Sequence, residues 1–237
     1  MARNIEISIG EYYHVYNRGT DKRNIFLSEK DYERFLILLH LGNSQNAVQV
    51  RELSQGLTLG KLFDLPVEKR IVDIGAYCLM PNHFHLLLRE KQERGISLFL
   101  QKISTAYTMF FNKKYERTGA LFSGTFKAEH ADYDQYLKYL FSYIHLNPVK
   151  LIDPKWRDSG ITDKKTAIEY LQKYRYSSFI DYSYPKQRKE SVILNKDAFP
   201  EYFLNVDDFF VTINDWLSFP RLNLGVKPQG LTLGKAL

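Results

Sequence analysis

The sequence has one cysteine, Cys78, and it lacks any apolar run of the roughly 20 residues that a membrane-spanning helix needs. A single cysteine excludes an internal disulfide framework and a zinc cluster built on several thiolates. No apolar segment follows the charged N-terminal residues, so we expect no secretory signal. Together these absences predict a cytoplasmic protein that does not insert into a membrane.

Acidic residues are in the minority, with 27 Asp and Glu against 33 Lys and Arg, which gives a net charge of +6. This excess is compatible with a polyanionic partner such as nucleic acid, but it does not establish one. Aromatic residues make up 15% of the chain, and they suit either a hydrophobic core or the stacking of bases. With 237 residues, of which 44% are hydrophobic, the chain is long enough to bury a substantial core.

Hydrophobic periodicity and turn residues divide the first 150 residues into strands and helices. We predict a strand over 11–19, a helix over 28–41, a hairpin of strands over 70–80 and 83–90, a helix over 97–115, a glycine-interrupted strand over 119–131, and a helix capped by Asp132 and Gln135 that stops at Pro148. This order predicts an α+β fold, a ferredoxin-like sandwich with an antiparallel sheet and helices on one face.

Other segments carry weaker signals. Residues 42–69 are predicted to form an exposed loop, since this connection is long for a compact domain. The heptapeptide QGLTLGK occurs at 55–61 and again at 229–235, which we interpret as a trace of repetitive DNA translated within the gene. Residues 207–219 predict a short helix, and the role of residues 181–237 cannot be read.

Two histidines interrupt an otherwise apolar strand, MPNHFHLLL at 80–88. Because strand side chains alternate between faces, His83 and His85 share one face while Phe84 lies on the other. Metal binding, a catalytic acid and base pair, and a polar strand surface all remain open for two imidazoles placed in this way. The choice depends on a partner from elsewhere in the chain.

The predicted helix before Pro148 carries a stripe of side chains at helical spacing: Tyr136, Leu140, Tyr143 and Asn147. If this stripe faces the histidine strand, Asn147 can offer its amide oxygen to a divalent ion held by two imidazoles. Tyr143, one turn earlier, can then offer its phenol to a substrate held there. Taken alone, Tyr143 is as well explained as a packing residue, and Asn147 as a helix-end residue.

A set of ordered motifs surrounds these residues: YHVYNRG (13–19), AYCLMPNHFHLLL (76–88), ALFSGTFK (120–127), YIHLNPVK (143–150) and YRYSSF (174–179). The two histidines flanking a hydrophobic residue resemble the HUH signature of single-strand-specific nucleases. The full set resembles the REP-associated tyrosine transposases, relatives of the single-tyrosine insertion-sequence transposases. The resemblance spans about residues 11–180.

The resemblance implies a role for each matching residue. His83 and His85 would bind Mg²⁺ or Mn²⁺, Asn147 would be the third ligand, and Tyr143 would be the nucleophile. Residues 1–150 would form the catalytic domain and residues 151–237 a C-terminal extension of unclear role. The implied activity is transposition. The protein would cleave single-stranded DNA at hairpin-forming repeats and rejoin it through a covalent 5′-phosphotyrosine.

Two other functions are kept as alternatives. The first is a metal-dependent nuclease that uses a metal-bound water, with Tyr143 only packing, and the second is a non-catalytic module that binds single-stranded nucleic acid. Candidate DNA contacts are Lys113, Lys114, Arg117 and Lys127, although solvation and helix capping explain these residues equally. We expect a monomer, with a dimer that exchanges the tyrosine helix as the alternative.

Overall fold

Four antiparallel strands form the centre of the molecule in the order β2-β3-β1-β4. The strands are β1 (Tyr12–Arg18), β2 (Val72–Met80), β3 (His83–Glu90) and β4 (Lys127–His130). The structure is a computed structural model that describes residues 6–46, 57–161, 163–184 and 188–218. The predicted α+β class and antiparallel sheet are confirmed.

The register of the sheet decides which side chains share a face. β3 lies between β2 and β1, and His85 is opposite Cys78 on one side and Tyr16 on the other. Arg18 is opposite His83, and Lys127 of β4 is opposite Tyr16. Since directly opposed residues project to the same side of a sheet, all of these side chains belong to one face, which we call the histidine face.

Helices α1 (Glu29–Leu41) and α3 (Gly95–Lys114) cover the other face, as predicted for the helix pair of the sandwich. Phe84 projects to that side, and its ring centroid lies 5.1 Å from that of Phe35 in α1. Helix α4 (Asp134–His145) instead contacts β2 and β3 from the histidine face. The helix that carries Tyr143 is therefore on the same side as the two histidines.

The predicted strand over 119–131 is wrong for its first part, because only Lys127–His130 is a strand. Gly119 and Gly124 have φ values of +82° and +74°, in the left-handed region that a strand does not use. The helix that follows begins at Asp134, and its cap residue, Tyr133, makes no side-chain capping hydrogen bond. The capping box predicted from Asp132 and Gln135 therefore does not form.

The predicted exposed loop over 42–69 is also partly wrong. A short helix, α2 (Leu59–Phe63), lies within it and contacts α1. Leu62 and Phe63 are buried because α1 offers them an apolar surface. The first QGLTLGK copy runs into this helix, although residues 55–56 lie outside the described residues, as does the whole second copy at 229–235.

The chain after residue 150 covers the sheet edge at β2. Its helices are α5 (Trp156–Ser159), α6 (Lys164–Lys173), α7 (Phe179–Ser183) and α8 (Val206–Ser218), and 3₁₀ turns occur at Asn147–Leu151, Lys189–Ile193 and Lys196–Ala198. The backbone N–H of Leu79 donates to the carbonyl of Tyr176 (2.9 Å), and the N–H of Ser178 donates to that of Tyr77 (3.0 Å). These bonds satisfy polar groups of an edge strand that would otherwise face solvent.

Helix α8 confirms the short helix predicted near residue 207. Its Phe209 is buried against His145 of α4, with ring centroids 5.4 Å apart. No helix among the described residues is both long and apolar enough to cross a membrane.

A buried carboxylate joins α1 to α3. The side chain of Asp31 is fully buried, and it accepts hydrogen bonds from the backbone N–H groups of Leu27 (2.8 Å) and Ser28 (2.9 Å). Lys114 at the end of α3 pairs with it at 2.6 Å, and the Tyr115 hydroxyl donates to it at 2.7 Å. Burial alone would raise the pKa of Asp31, but the hydrogen bonds from Lys114, Tyr115 and the Leu27 backbone outweigh burial and lower it.

We predict that Asp31→Asn lowers the free energy of unfolding by about 2–4 kcal/mol at pH 7, because it leaves Lys114 without its counter-ion and weakens the cap of α1. The pKa of Asp31 is lower in the folded state, so its contribution is present above the unfolded value of about 4 and is lost as pH falls through the folded value. Urea unfolding at neutral and acidic pH checks this expectation. The matched control is Asp21→Asn at an exposed carboxylate, and equal effects of the two changes would contradict the prediction.

Candidate active site

His83 and His85 lie next to each other on the histidine face, with ring centroids 4.9 Å apart and perpendicular planes. Both side chains are buried, with exposed fractions of 6% and 2%. The Nε2 atom of each ring has no hydrogen-bond partner within the described part of the chain. Buried polar atoms are normally paired, so an unpaired nitrogen on each of two neighbouring rings makes this histidine pair a candidate ligand-binding site.

The other nitrogen of each ring is occupied. The Nδ1 atom of His83 lies 2.5 Å from the Asn82 side-chain oxygen, which can only accept, so His83 carries its proton on Nδ1. The Nδ1 atom of His85 lies 2.9 Å from the Nε2 atom of His14 on β1. If His85 donates there, the lone pairs on both free Nε2 atoms are available to a metal ion.

His14 connects His85 to a carboxylate. Its Nδ1 atom lies 3.6 Å from a carboxylate oxygen of Glu129 on β4. When His14 carries its proton on Nδ1, facing Glu129, its Nε2 atom can accept a hydrogen bond from the Nδ1–H group of His85. The Nε2 atom of His85 is then unprotonated. The hydroxyls of Tyr16 (2.9 Å) and Tyr136 (3.3 Å) also donate to Glu129. Burial opposes the charge of Glu129, but the neighbouring His14 and the hydrogen bonds from the two tyrosines prevail, and the pKa of Glu129 is lowered.

Burial keeps both predicted histidine ligands neutral. It lowers the pKa of His83 to about 4, with further lowering by the positive charges of Lys150, Arg157 and Arg18. The pKa of His85 is also lowered, first by burial and then by the neighbouring rings and cations. A neutral imidazole is the form that coordinates a metal.

Helix α4 places Tyr143 against the stacked rings of His14 and His85. The Tyr143 ring centroid lies 5.6 Å from that of His85 and 5.5 Å from that of His14, edge-on to both. Asn147 is buried one turn later, and its amide nitrogen donates to the carbonyl of Tyr143 at 2.8 Å. This bond fixes the amide so that its oxygen is left for another partner, and Arg157 approaches that oxygen at 3.5 Å.

These residues fit a divalent cation. Two unpaired imidazole nitrogens can coordinate a divalent transition-metal ion, and an amide oxygen is a ligand that Mg²⁺ and Mn²⁺ also accept. In the described ranges, no group of three or more His, Cys, Asp or Glu is arranged to hold a metal. A third protein ligand beside His83 and His85 would therefore have to be of another residue type, and Asn147 is the one that the sequence predicts.

The four predicted DNA contacts separate into two places. Lys127 projects to the histidine face beside Tyr16. Lys113, Lys114 and Arg117 lie at the end of α3, which covers the opposite face. There Lys114 pairs with Asp31, and Arg117 donates to the side chain of Asn112 at 2.9 Å.

Sequence reasoning missed His14, Glu129 and Arg157. Alternation along β1 could have shown that His14 and Tyr16 share a face, but the pairing of β1 with β3 joins residues 71 positions apart, and no local pattern reveals it. Arg157 lies in a segment with no motif. Its guanidinium carbon is 4.3 Å from the centroid of the Tyr143 ring.

Comparison with known proteins assigns the chain to a family, since the model of IS200-like transposases matches residues 11–147. The chain belongs to the IS200-like transposases. The match includes both histidines, Tyr143 and Asn147, and it confirms the resemblance drawn from the motifs at the level of this family.

One solved structure similar to this transposase is that of a REP-associated tyrosine transposase bound to a REP hairpin. It is 13% identical, with a TM-score of 0.44, and the match covers 76% of this chain and 83% of that one. No curated protein matches the transposase.

We predict that His14→Phe lowers the affinity of the transposase for Mn²⁺ by about 10- to 100-fold, because it removes the partner that directs the lone pair of His85 outward. Isothermal titration calorimetry measures this affinity without any reaction. His130→Phe is the matched control, since His130 is an imidazole on β4 that pairs with Glu11. Unchanged Mn²⁺ affinity in a folded His14→Phe variant would show that another group orients His85.

Proposed function

We propose that this transposase is a metal-dependent single-stranded DNA transesterase whose nucleophile is Tyr143. The observation that carries the proposal is the contact of the Tyr143 ring with His85, whose Nε2 atom, like that of His83, is buried and unpaired. When bound by His83, His85 and Asn147, Mg²⁺ or Mn²⁺ would polarise a phosphoryl oxygen and stabilise the negative charge that develops during displacement.

The proposed reaction exchanges one phosphodiester for another. The Tyr143 oxygen attacks phosphorus and loses its proton, while the bond from phosphorus to the 3′-oxygen breaks and that oxygen gains a proton. The products are a 5′-phosphotyrosine and a free 3′-hydroxyl. A 3′-hydroxyl from a second strand can reverse the step, so strands are rejoined without ATP.

Arg157 helps to position the proposed nucleophile. Its guanidinium carbon lies over the face of the Tyr143 ring, 4.3 Å from the ring centroid, which is a cation–π contact. Together with the edge-on contacts to His14 and His85, this contact holds the Tyr143 ring beside the histidines.

The substrate we propose is single-stranded DNA that forms hairpins at repeated sequences, on the basis of the ordered motifs over residues 11–180. Lys127 is the predicted DNA contact that shares the histidine face with the site. We further propose that residues 1–150 supply the catalytic residues, that the extension after 150 contributes Arg157, and that one chain acts as a monomer.

We predict that wild-type transposase incubated with Mn²⁺ and a labelled single-stranded hairpin forms a covalent protein–DNA adduct, and that Tyr143→Phe forms none. Without the phenol oxygen there is no atom to bond to phosphorus. Denaturing gel electrophoresis detects the adduct and the cleaved strand together. Tyr139→Phe is the matched control, because it removes a phenol one turn earlier on α4 and leaves its ring on Trp216.

The result separates the proposal from its alternatives. Equal cleavage by wild type and Tyr143→Phe, with no adduct in either, would overturn the transesterase and favour a nuclease that uses a metal-bound water. Hairpin binding without metal-dependent cleavage in any variant would instead favour a non-catalytic binding module.

A further inference from the structure

Three cationic side chains act on His83. Arg18 lies opposite His83 on the histidine face. Lys150 and Arg157 come from the segment after α4, and the charges of all three act on His83. None of them forms an ion pair with a carboxylate in the described parts of the chain.

Arg157 occupies a defined position among these cations. Its guanidinium stacks over the Tyr143 ring, with the central carbon 4.3 Å from the ring centroid, and it also lies 5.4 Å from the Trp156 ring. One of its nitrogens approaches the Asn147 amide oxygen at 3.5 Å. Arg157 therefore contacts both the proposed nucleophile and a proposed ligand oxygen.

Lys150 is partly buried in the same region. Burial, followed by the repulsion of Arg157, lowers the pKa of Lys150 to about 8, and Asp158 opposes this change only in part. Placing this amine near Arg157 is unfavourable unless another group compensates for the two positive charges.

This arrangement is paradoxical for a site that binds only a metal. Cations beside His83 and His85 repel a divalent ion and weaken its binding. A phosphodiester reverses this effect, because its negative charge attracts Arg157 and the metal together. The excess of positive charge thus has a physical reason once a phosphate is part of the site.

We propose that Arg157 forms a phosphate-receiving site beside the histidine pair, so that a divalent cation and the backbone of single-stranded DNA bind with positive cooperativity. The inference rests on the proposed function, and it adds one residue and a coupling between two ligands. Coupling is reciprocal, so DNA tightens metal binding by the factor by which metal tightens DNA binding.

Mn²⁺ binding to the DNA-free protein tests the inference, because the direction of the change in affinity distinguishes a charge effect from a packing effect. Arg157→Gln and Lys150→Gln each remove one positive charge near His83 and His85, and we expect each to bind Mn²⁺ about 5- to 10-fold more tightly than wild type. If these side chains only supported the site by packing, their loss would loosen it and weaken Mn²⁺ binding. Calorimetry at constant ionic strength measures the affinity.

Two further variants isolate the effect. Lys138→Gln removes the same charge from the exposed side of α4 and should leave Mn²⁺ affinity unchanged. Arg157→Lys keeps the charge and loses the planar group, so its Mn²⁺ affinity should remain near that of wild type. Thermal unfolding verifies that each variant is folded.

The second measurement is the affinity for fluorescein-labelled single-stranded oligothymidine with and without Mn²⁺, made in the Tyr143→Phe background so that no strand is cleaved. We expect Mn²⁺ to tighten binding about tenfold, and Arg157→Gln to reduce both the affinity and this enhancement. An Arg157→Gln variant that binds Mn²⁺ no more tightly than wild type, or an oligothymidine affinity that does not change with Mn²⁺, would overturn the inference.

These outcomes are distinct from failure of the proposed function. A wild-type protein that binds Mn²⁺ and forms the Tyr143 adduct, but shows no coupling, refutes only the phosphate-receiving site. A protein that binds no Mn²⁺ refutes the metal role and this inference together.

Discussion

The contact between His14 and His85 across the two central strands is the interaction on which the site depends. It exists because β1 and β3 pair in a register that brings both imidazoles to the histidine face, with the ring nitrogens 2.9 Å apart. A slip of one residue would turn His14 toward α1 and α3 and leave His85 without this partner. The strand register therefore determines the chemistry of the site, and the burial of the apolar side chains on the opposite face fixes that register.

That opposite face supplies the rigidity. Phe84 and its neighbours on β3 are buried beneath α1 and α3, so the strand cannot shift without exposing apolar area. This apolar layer stabilises the fold, so the polar residues of the site do not have to. Its packing offsets the free-energy cost of burying histidine nitrogens that have no hydrogen-bond partner.

Much of this arrangement was predictable from local patterns. The hairpin of β2 and β3, the helices α1 and α3, and the shared face of His83 and His85 follow from periods of two and of 3.6 residues. The same spacing placed Tyr143 and Asn147 on one stripe, and α4 does present Tyr143 to His85. The strand predicted over 119–131 was too long because the pattern does not reveal that Gly119 and Gly124 take left-handed conformations.

The parts that could not be predicted depend on contacts between distant segments. Glu129 meets His14 only through the pairing of β4 with β1. Arg157 lies beyond the residues matched by the family model, and only the folded chain places it over Tyr143. Lys114 is a predicted DNA contact that a distant residue occupies instead. It pairs with the buried carboxylate of Asp31, which is far from Lys114 in the sequence.

His145 anchors the helix that carries the proposed nucleophile. The ring is fully buried, its Nε2 atom lies 2.8 Å from the Ser178 hydroxyl, and Phe209 of α8 packs against it. If α4 were exchanged with a second copy of the chain, His145 would lose its contacts with the aromatic side chains that follow it in the same polypeptide. The contacts of His145 therefore oppose the exchange of α4 between two copies of the chain, and they keep Tyr143 beside the histidines of its own chain.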